Sequence, residues 1–535
     1  MKILGISGGM HSCGLAYLKD GKPEFAFEEE RFNRIRTYKD FYNEHFRFPY
    51  ESGQNVWYNK GFDWNELDYI TSHYSAEVTE EIWDGIGLGP FPKEKFIKTN
   101  HHRAHCSLAY YCSGFKEDTL VISLDAMGEK YSARYFIGSN GDLEDIGKIH
   151  SDFKSFGHYY AMLTEFLGFK RLKDEGKVVG MASHGRFHQE IYDVFNECIK
   201  VKSEGIITDR DNGNVISGGI YEDFYRIWFS KFGSKFTSHL KEEIAYNGQL
   251  VFEEKVLEIF NNLHKKYPYI KKLALAGGIF ANVKLNKKIN ELKWVDEVFI
   301  APPMGDEGIP LGSALSVHKS KNPDFKPFKL DNIFLGTSYG EVNNNHEKYN
   351  IRPYDKLSLA HDLKEGKVVG WFNGRSEHGP RALCNRSIIA DPSIPGTYKK
   401  INDRLQRNDR MPFAPVVIDK YADEVFDIKK SKYTAEFMTM LYDTKKEWYD
   451  KIPAVVHPID KTARIQIVTP ISNPKFYQLI NNFYDITGIP VLLNTSFNVH
   501  GEPIVCRPEE AFVHLDNGIV DILVINNKVY TKNDK

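Results

Sequence analysis

Short apolar runs separated by glycine turns dominate the start of the chain. Residues 2–18 contain two such runs around Gly8–Gly9, and a hairpin turn leads into a third run at 23–27. The same order of strand, turn and strand returns at 120–137. Two units of this kind predict duplicated halves of an α/β fold that close on a nucleotide. The polar and aromatic segment between them, 28–100, predicts an insertion of helices and loops.

Later segments predict strands that run into helices. The period of residues 156–170 is typical of an amphipathic helix. An apolar strand meets Gly277 and Gly278, where glycine lets the backbone approach a ligand, and Asn282 stands where it can reach a ribose or base. A second strand ends shortly before Asp306, and a helix follows. We interpret both junctions as further parts of the nucleotide cleft.

A change of composition predicts a domain boundary after this cleft. Residues 318–335 are rich in Lys, Pro, Asn and Asp, and a new helix, turn and strand begin near Ser358. A chain of 535 residues exceeds the roughly 250–300 that one hydrophobic core supports. We therefore predict an α/β protein of two domains, residues 1–345 and 346–535.

Composition narrows the class of protein. Apolar residues make up 41% and charged residues 27%, with a net charge of −2, as in an ordinary globular protein without an overall electrostatic footprint for nucleic acid. No apolar run is long enough to span a bilayer, and glycines interrupt the N-terminus, which is a poor signal peptide. The six cysteines form no CxxC pair, so we expect reduced thiols in a cytoplasmic protein.

Two histidines four residues apart predict a metal site. On a helix His101 and His105 share one face, while His102 is turned about a quarter of a circle away. Asp125, at the end of the next strand, is a natural third ligand, and Asp306 is either a helix N-cap or a fourth. This set suits a divalent iron, manganese or zinc ion. The alternative is a histidine pair with ordinary surface or helix-end chemistry.

Glycine turns and basic side chains predict phosphate contacts. The glycine turn at Gly8–Gly9 can wrap a phosphate with backbone N–H groups, and the turn that ends at Gly128 repeats the same pattern. The segment 174–185 is expected to form glycine-rich turns that, with Lys177, could line a phosphate, unless Lys177 is a solvated lysine. In GRSEHGPRALCNRS, residues 374–387, glycine and proline separate three arginines, whose planar forks suit phosphate or carboxylate. Neutral amides at a later strand end suit a carbonyl or amide group, or form only a turn. The candidates in this second set are Arg375, Arg381, Arg386, Arg407, Arg410, Arg464 and Asn494.

Nine motifs in order resemble those of the O-carbamoyltransferases of antibiotic and nodulation-factor synthesis, over nearly the whole chain. They are HHRAH, LDAMGE, EGKVVGMASHG, AGGIFANVKLN, GDEGIPLGSAL, GRSEHGPRALCNRS, MPFAP, TARIQ and LLNTSFN. The resemblance implies an N-terminal actin/sugar-kinase-like (ASKHA) domain and a C-terminal YrdC-like α/β domain. It also implies that the second domain joins carbamoyl phosphate to ATP, giving carbamoyl-adenylate and pyrophosphate. The first domain then transfers the carbamoyl group to an alcohol.

The resemblance also assigns residues. It places the metal ligands, with iron first among the candidates, on His101, His105, Asp125 and Asp306. It places carbamoyl-phosphate contacts on Arg464, Asn494 and the arginines of GPRAL, with Mg²⁺ accompanying ATP. A base near the acceptor hydroxyl is needed because an alcohol is a poor nucleophile, and His11 is a candidate if it is not a structural histidine. This chain departs from its relatives at Cys384, where glycine is common, and at Leu405 and Met411, where some have Lys and Arg.

Other functions remain open at this point. The acceptor is expected to be a small molecule with a hydroxyl group, with no membrane partner, and a homodimer is left open. A tRNA-modifying carbamoyl transferase would need a basic stripe, which the neutral net charge argues against. A nucleotide switch protein without catalysis would not need Asp306 or Arg464.

Overall fold

A computed structural model describes residues 1–8, 12–35, 49–53, 55, 63–87, 89–150, 155–202, 205–208, 233, 236, 238–340, 342, 347–407 and 411–533. The chain forms two compact units. Unit 1 comprises residues 1–100, 306–325 and 329–535, and unit 2 comprises residues 101–305 and 326–328. The boundary predicted at residue 345 divides the chain differently, and it stays a prediction.

Strands occur throughout both units. They are β1 (Lys2–Ser7), β2 (Gly14–Lys19), β3 (Lys22–Glu28), β4 (Tyr69–Ser72), β5 (Phe96–Lys98), β6 (Thr119–Gly128), β7 (Tyr131–Ser139), β8 (Asp142–His150), β9 (Ile199–Lys202), β10 (Gly205–Thr208), β11 (Lys272–Ala276), β12 (Glu297–Ile300), β13 (Tyr349–Pro353), β14 (Val369–Phe372), β15 (Arg386–Ala390), β16 (Ala414–Ile418), β17 (Tyr442–Asp443), β18 (Thr462–Ala463), β19 (Gln466–Val468), β20 (Val491–Ser496), β21 (Ile522–Ile525) and β22 (Lys528–Lys532).

Helices connect and cover these strands. They are α1 (Glu29–Asn33), α2 (Ala76–Ile86), α3 (His101–Tyr111), α4 (Phe156–Phe166), α5 (Glu175–Ala182), α6 (Gln189–Cys198), α7 (Lys241–Lys266), α8 (Val283–Asn290), α9 (Ile309–Lys321), α10 (Lys356–Lys364), α11 (Thr397–Arg404), α12 (Asp419–Val425), α13 (Pro474–Thr487) and α14 (Pro508–Asp516). The mixture of strands and helices confirms the predicted α/β class.

The first sheet of unit 1 has the order β3-β2-β1-β4-β5. Its first three strands are antiparallel, and β4 and β5 run parallel to β1. The prediction of only helices and loops at 28–100 was wrong for β4 and β5, although α2 lies there as expected. These strands have four and three residues, too few to carry a period-two pattern.

The sheet of unit 2 has the order β12-β11-β6-β7-β8. Three antiparallel strands are again followed by two strands parallel to the first of them. The strand, turn and strand predicted at 120–137 are thus confirmed as β6 and β7. Pairing between them is irregular from Leu124 to Gly128, so Asp125 lies where the regular ladder stops. Both sheets therefore follow one strand order.

Of two helices in segments with a sequence prediction, one agrees with the prediction and the other does not. The helix predicted at 156–170 is α4, which begins after Ser155, whose side chain accepts a hydrogen bond from the backbone N–H of His158. The segment 174–185, expected to be rich in glycine turns, instead contains the regular helix α5. Glycine is only modestly unfavourable inside a helix, and burial of Val178 and Val179 outweighs that cost.

The C-terminal part of unit 1 contains an eight-stranded sheet of the order β13-β22-β21-β14-β15-β20-β16-β19. Its core is apolar and fully buried around Trp371, Phe476 and Leu492. Strand β15 begins at Arg386 and is central in this sheet, between β14 and β20. The arginine-rich segment therefore leads directly into a central strand of the eight-stranded sheet.

All six cysteines are buried and none is bonded to another, in agreement with the expected absence of a disulfide framework. In the part of the chain that the structure describes, no helix combines the length and apolar character needed to cross a membrane.

Gly5 tests how tightly α9 packs on β1. A Cβ atom at this position would lie 1.9 Å from the carbonyl oxygen of Pro310, which is backbone and cannot swing away. Gly5→Ala is expected to lower the free energy of unfolding by about 3 kcal/mol, the upper range for overpacking. Gly340→Ala, in the same unit, meets nothing within 4 Å and should change it little. Urea titration of both variants measures the difference, and equal stabilities would contradict this packing.

Candidate functional site

The predicted histidines and the first aspartate converge within unit 2. His101 and His105 lie one turn apart at the start of α3, and both are buried. Their Nε2 atoms lie 3.7 and 3.3 Å from Oδ2 of Asp125. Ligands about 2.1 Å from a tetrahedral ion are separated by ~3.4 Å, so these three side chains fit a divalent metal. His101, His105 and Asp125 are thus brought together as predicted.

Backbone groups and the two imidazoles fix the carboxylate of Asp125. Its oxygens accept hydrogen bonds from the backbone N–H groups of Ala126 and Gly278, at 2.6 and 3.3 Å. Burial acts to raise its pKa, but the hydrogen bonds of His101 and His105 hold the pKa well below the ordinary value. The carboxylate is therefore ionised and able to act as a metal ligand.

His102 faces away from this centre, as its position on the helix predicts. Its Nδ1 lies 2.8 Å from the hydroxyl of Ser123, and its Nε2 lies 2.9 Å from the carbonyl oxygen of Tyr131. Burial lowers its pKa to about 3, so the ring is neutral. In that state Nε2–H donates to Tyr131 and Nδ1 accepts from Ser123, which ties α3 to β6 and β7.

Three predicted glycines lie against the metal-ligand cluster. A Cβ on Gly128 would come within 2.2 Å of the ring of His101. Gly277 has φ +104°, and a Cβ there would lie 2.0 Å from the carbonyl oxygen of Leu124. Gly278 donates its N–H to Asp125. These glycines shape the space around the ligands, which is a role different from the nucleotide contacts predicted for them.

Asp306 belongs to unit 1, where it opens a 3₁₀ turn that leads into α9. Burial and, next, the negative charge of Asp306 raise the pKa of Tyr74, whose hydroxyl donates to the carbonyl oxygen of Gly8 at 2.9 Å. Asp306 therefore acts electrostatically on Tyr74. Its role as a metal ligand stays a prediction.

The side chains expected to contact a nucleotide are engaged within the fold. Asn282 is buried, caps α8 by accepting the N–H of Leu285, and exchanges hydrogen bonds with Gln249. Lys177 lies on α5 and pairs with Asp174 at 3.0 Å. Their roles as nucleotide contacts stay predictions, and the observed contacts give each of them a structural role.

Two of the predicted phosphate-binding arginines point into the protein. The guanidinium of Arg386 is fully buried, stacks 3.5 Å above the ring of Phe372, and has its pKa lowered by burial to about 10. Arg375 is half-buried. Both donate to main-chain carbonyl oxygens: Arg386 to Asn373, Asn385, Thr337 and Gly374, and Arg375 to Gly336, Glu24 and Leu335. These contacts stabilise loops, so the observed geometry favours a structural role over a phosphate contact for both.

A different group of arginines has the character of an anion site. Burial, together with the positive charges of Arg381 and Arg407, holds the pKa of Arg464 well below its ordinary value. Nε of Arg464 is buried and has no hydrogen-bond partner among the described residues. Arg407 itself lies over the ring of Phe413, 5.0 Å from its centre. Like charges brought together in this way are stabilised by an anion.

Asn494 joins this group from β20. Its amide nitrogen donates to the carbonyl oxygen of Ala382 and to Oε1 of Gln466, at 3.2 and 2.9 Å. Ala382 follows Arg381, and Gln466 lies two residues after Arg464, so these bonds place the three segments together. Within the described chain, Oδ1 of Asn494 is buried without a donor. Among the described residues, the site thus offers the buried Nε–H donor of Arg464 and the amide oxygen acceptor of Asn494.

The departures from the family pattern lie near this site but differ in effect. Cys384 has φ +74°, the left-handed conformation that glycine adopts most easily, and its thiol donates to Gln466. Leu405 is buried, and Met411 is half-buried. The predictions for His11 and Arg410 fall outside the described residues.

Two carboxylates that the sequence did not predict hold the segment of residues 374–387, the arginine loop. Oε1 of Glu377 accepts hydrogen bonds from three backbone N–H groups, those of Leu383, Asn385 and Arg386. Glu28, at the end of β3, accepts the N–H of Gly379. Its place as an acidic residue among arginines could have signalled Glu377, but no local signal links Glu28 to Gly379, 351 positions away.

A second group of possible metal ligands in unit 2 is already neutralised. His188 and His239 lie 2.9 and 3.6 Å from the carboxylate of Glu243. Arg186 donates to the same carboxylate at 2.9 Å, and the N–H of Leu240 does so at the start of α7. These contacts satisfy the carboxylate and clamp a loop to the helix.

Comparison with known proteins adds to this geometry. The family model described as Carbamoyltransferase N-terminus matches residues 90–315, and the model described as Carbamoyltransferase C-terminus matches residues 360–532. An uncharacterised protein of Methanocaldococcus jannaschii is 32% identical over 542 residues, covering 99% of each chain. Nodulation protein NolO of Bradyrhizobium diazoefficiens is 30% identical, covering 80% of this chain and 77% of its own length.

One further relative is named for its activity. The 3'-hydroxymethylcephem-O-carbamoyltransferase of Amycolatopsis lactamdurans is 27% identical over 471 residues, covering 86% of this chain and 85% of its own length. Among solved structures, the chain is compared with full-length HypF in its phosphate- and nucleotide-bound form, at 14% sequence identity. The match covers 60% of this chain and 56% of the HypF chain. The TM-score of 0.34 is too low to support an argument about the fold. The two family models and the relatives at 30% identity or more show that this chain belongs to the carbamoyltransferase family and is an enzyme.

Proposed function

We propose that this enzyme is an ATP-dependent O-carbamoyltransferase that uses carbamoyl phosphate. The observation that carries the proposal is the pairing of Arg464, set among the positive charges of Arg381 and Arg407, with the free amide oxygen of Asn494. A phosphate answers the guanidinium groups, and the amino group of a carbamoyl can donate to the amide oxygen. Carbamoyl phosphate carries both groups within a few bonds of each other.

In the first half-reaction, carbamoyl phosphate and one water give carbamate and inorganic phosphate. A carbamate oxygen then forms a bond to the α-phosphorus of ATP, and pyrophosphate leaves with its bonding electron pair. The arginines neutralise the phosphate of carbamoyl phosphate and hold it against a site that excludes bulk water. Adenylation converts the carbamate oxygen into a good leaving group.

In the second half-reaction, the acceptor hydroxyl oxygen forms a bond to the carbamoyl carbon, and AMP leaves. The hydroxyl proton passes to a base, for which His11 remains the candidate. The named relatives include an enzyme that carbamoylates a hydroxymethyl group, and we propose a small-molecule or sugar-containing alcohol as acceptor.

We further propose that Asp306 joins His101, His105 and Asp125 as ligands of one divalent metal. Two imidazoles and two carboxylates suit iron, and also manganese or zinc. When bound, such an ion supplies Lewis acidity that polarises the reacting carbonyl and holds nucleotide phosphates. His102 and the backbone N–H groups of Ala126 and Gly278 keep the ligands in place.

The finer architecture belongs to the same proposal. The repeated strand order of the two five-stranded sheets supports duplicated actin/sugar-kinase-like halves within residues 1–345. Residues 346–535 would then form the YrdC-like domain that makes the adenylate. Six buried, unbonded cysteines support a reducing, cytoplasmic location.

The reaction itself provides the first test. Purified, metal-loaded protein with ATP and carbamoyl phosphate should release pyrophosphate, followed by AMP once an alcohol acceptor is present. Ion-exchange chromatography of the nucleotides distinguishes the products. Release of ADP as the only nucleotide product would contradict the adenylate route.

Arg464→Ala should specifically weaken the binding of carbamoyl phosphate. Removing a charge-assisted donor costs about 1.5–3 kcal/mol, so KM for carbamoyl phosphate should rise at least tenfold while KM for ATP changes little. Pyrophosphate release measures both constants. Arg404→Ala is the matched control because Arg404 already pairs with Asp521 at 2.9 Å. A similar rise in the control, or none in Arg464→Ala, would contradict the assignment.

Gly128→Ala tests the metal site without removing a ligand. The added methyl would meet the ring of His101 at 2.2 Å and push it from Asp125. Elemental analysis of the folded variant should give a metal content at or below the midpoint between wild type and His105→Ala. Gly176→Ala meets nothing within 4 Å in the same unit and should keep full metal content. Unchanged content in Gly128→Ala would show that the ring does not need its observed position.

A further inference from the structure

A buried ion pair at the end of β3 contacts the arginine loop. Arg31 and Glu28 are both buried, with Nε of Arg31 3.5 Å from a carboxylate oxygen of Glu28. Glu28 accepts the N–H of Gly379 and faces Nδ1 of His378 at 3.3 Å, and Arg31 donates to the carbonyl oxygen of Gly379 at 2.7 Å. The pair thus binds both polar groups of one peptide residue.

That residue lies just before the anion site. Gly379 precedes Arg381 by two positions and has φ +113°, which other residues rarely adopt. On the far side of Arg381, Glu377 binds the N–H groups of Leu383, Asn385 and Arg386. The backbone on both sides of Arg381 is therefore held by hydrogen bonds to buried carboxylates.

The electrostatics of the pair explain why it can hold the loop so firmly. Burial acts to raise the pKa of Glu28, but Arg31 and then His378 outweigh it and lower that pKa to about 2. The carboxylate is charged under all working conditions, and hydrogen bonds from N–H groups to buried carboxylates are the strong kind. Neutralising either partner leaves a buried charge uncompensated, which is costly.

We infer that Glu28 and Arg31 are positioning residues for carbamoyl phosphate, which act by fixing the backbone of the loop that carries Arg381. This rests on the proposed function. The first segment of the chain thus determines the geometry of the substrate site in the last third. Neither side chain touches the substrate, and both act on its binding through Gly379.

Steady-state pyrophosphate release by the full-length enzyme tests this inference. The double variant Glu28→Gln/Arg31→Gln removes both charges together, so no buried charge is left alone. We expect KM for carbamoyl phosphate to rise at least tenfold, with kcat and KM for ATP within twofold of wild type. The single variant Arg31→Lys keeps a donor for the carbonyl oxygen of Gly379. Its KM for carbamoyl phosphate should therefore rise less than that of the double variant.

Arg34→Gln is the matched control. Arg34, three residues after Arg31, donates at 2.7 Å to two backbone carbonyls of the C-terminal segment, those of Pro503 and Ile504, and pairs with Glu510 at 3.3 Å. It has the same type of contact but none with the arginine loop. KM for carbamoyl phosphate should remain within twofold in this variant, and an equal rise in it would mean that any loosening of these segments has the same effect, which overturns the inference.

Hydrogen exchange of the same variants gives a second measurement. Amides of residues 377–386 should exchange faster in Glu28→Gln and Arg31→Lys, in proportion to the change in KM. If the double variant does not fold, Arg31→Lys, which keeps both charges of the pair, decides the question. Unchanged KM in folded variants overturns the inference. Absence of carbamoyl-phosphate-dependent pyrophosphate release in the wild type would instead overturn the proposed function.

Discussion

Like charges gathered in one place must be compensated, and the arginines around Arg464 impose this requirement on the C-terminal part of unit 1. Burial and the charges of Arg381 and Arg407 disfavour the charged form of Arg464. Glu377 and Glu28 bind backbone N–H groups of the loop that carries Arg381. These hydrogen bonds fix the loop that contributes Arg381 to the positive charge around Arg464.

This arrangement divides the arginines of one motif into two classes. Arg375 and Arg386 direct their donors to backbone carbonyls and build the loop. Arg381, with Arg464 and Arg407 from other segments, supplies the positive field. Under the proposed function, such a loop would keep these donors oriented before carbamoyl phosphate binds, which would reduce the reorganisation needed during the reaction. The strong central position of β15, which begins at Arg386, supports the same loop from its other end.

The centre in unit 2 follows a similar rule with different chemistry. One imidazole, that of His102, is kept neutral and used to fasten α3 to the sheet. Its neighbours are thereby aimed at Asp125, where the ladder between β6 and β7 becomes irregular and frees the carboxylate. Gly128 and Gly277 leave the space that these side chains occupy. Precise placement of ligands here depends on absent side chains as much as on present ones.

Local patterns in the sequence determined much of this protein. Helical spacing placed His101 and His105 on one face and His102 on another, because side chains four apart on a helix share a face whatever surrounds them. Alternation of strand and turn located β6 and β7, and the motifs identified the family. The same reasoning missed β4 and β5, whose few residues carry no period, and read the helix α5 as turns because it weighed glycine above burial.

Tertiary structure alone decided what each polar group does. Spacing could show that an arginine is present, but not whether its donors reach carbonyls, as in Arg386, or face other arginines, as in Arg464. Glu28 accepts a hydrogen bond from Gly379, 351 positions further along the chain. The side chain of Asn282 is hydrogen-bonded to Gln249 on another helix. Hydrogen bonds and charge compensation depend on distances in space, which the order of residues along the chain does not encode locally.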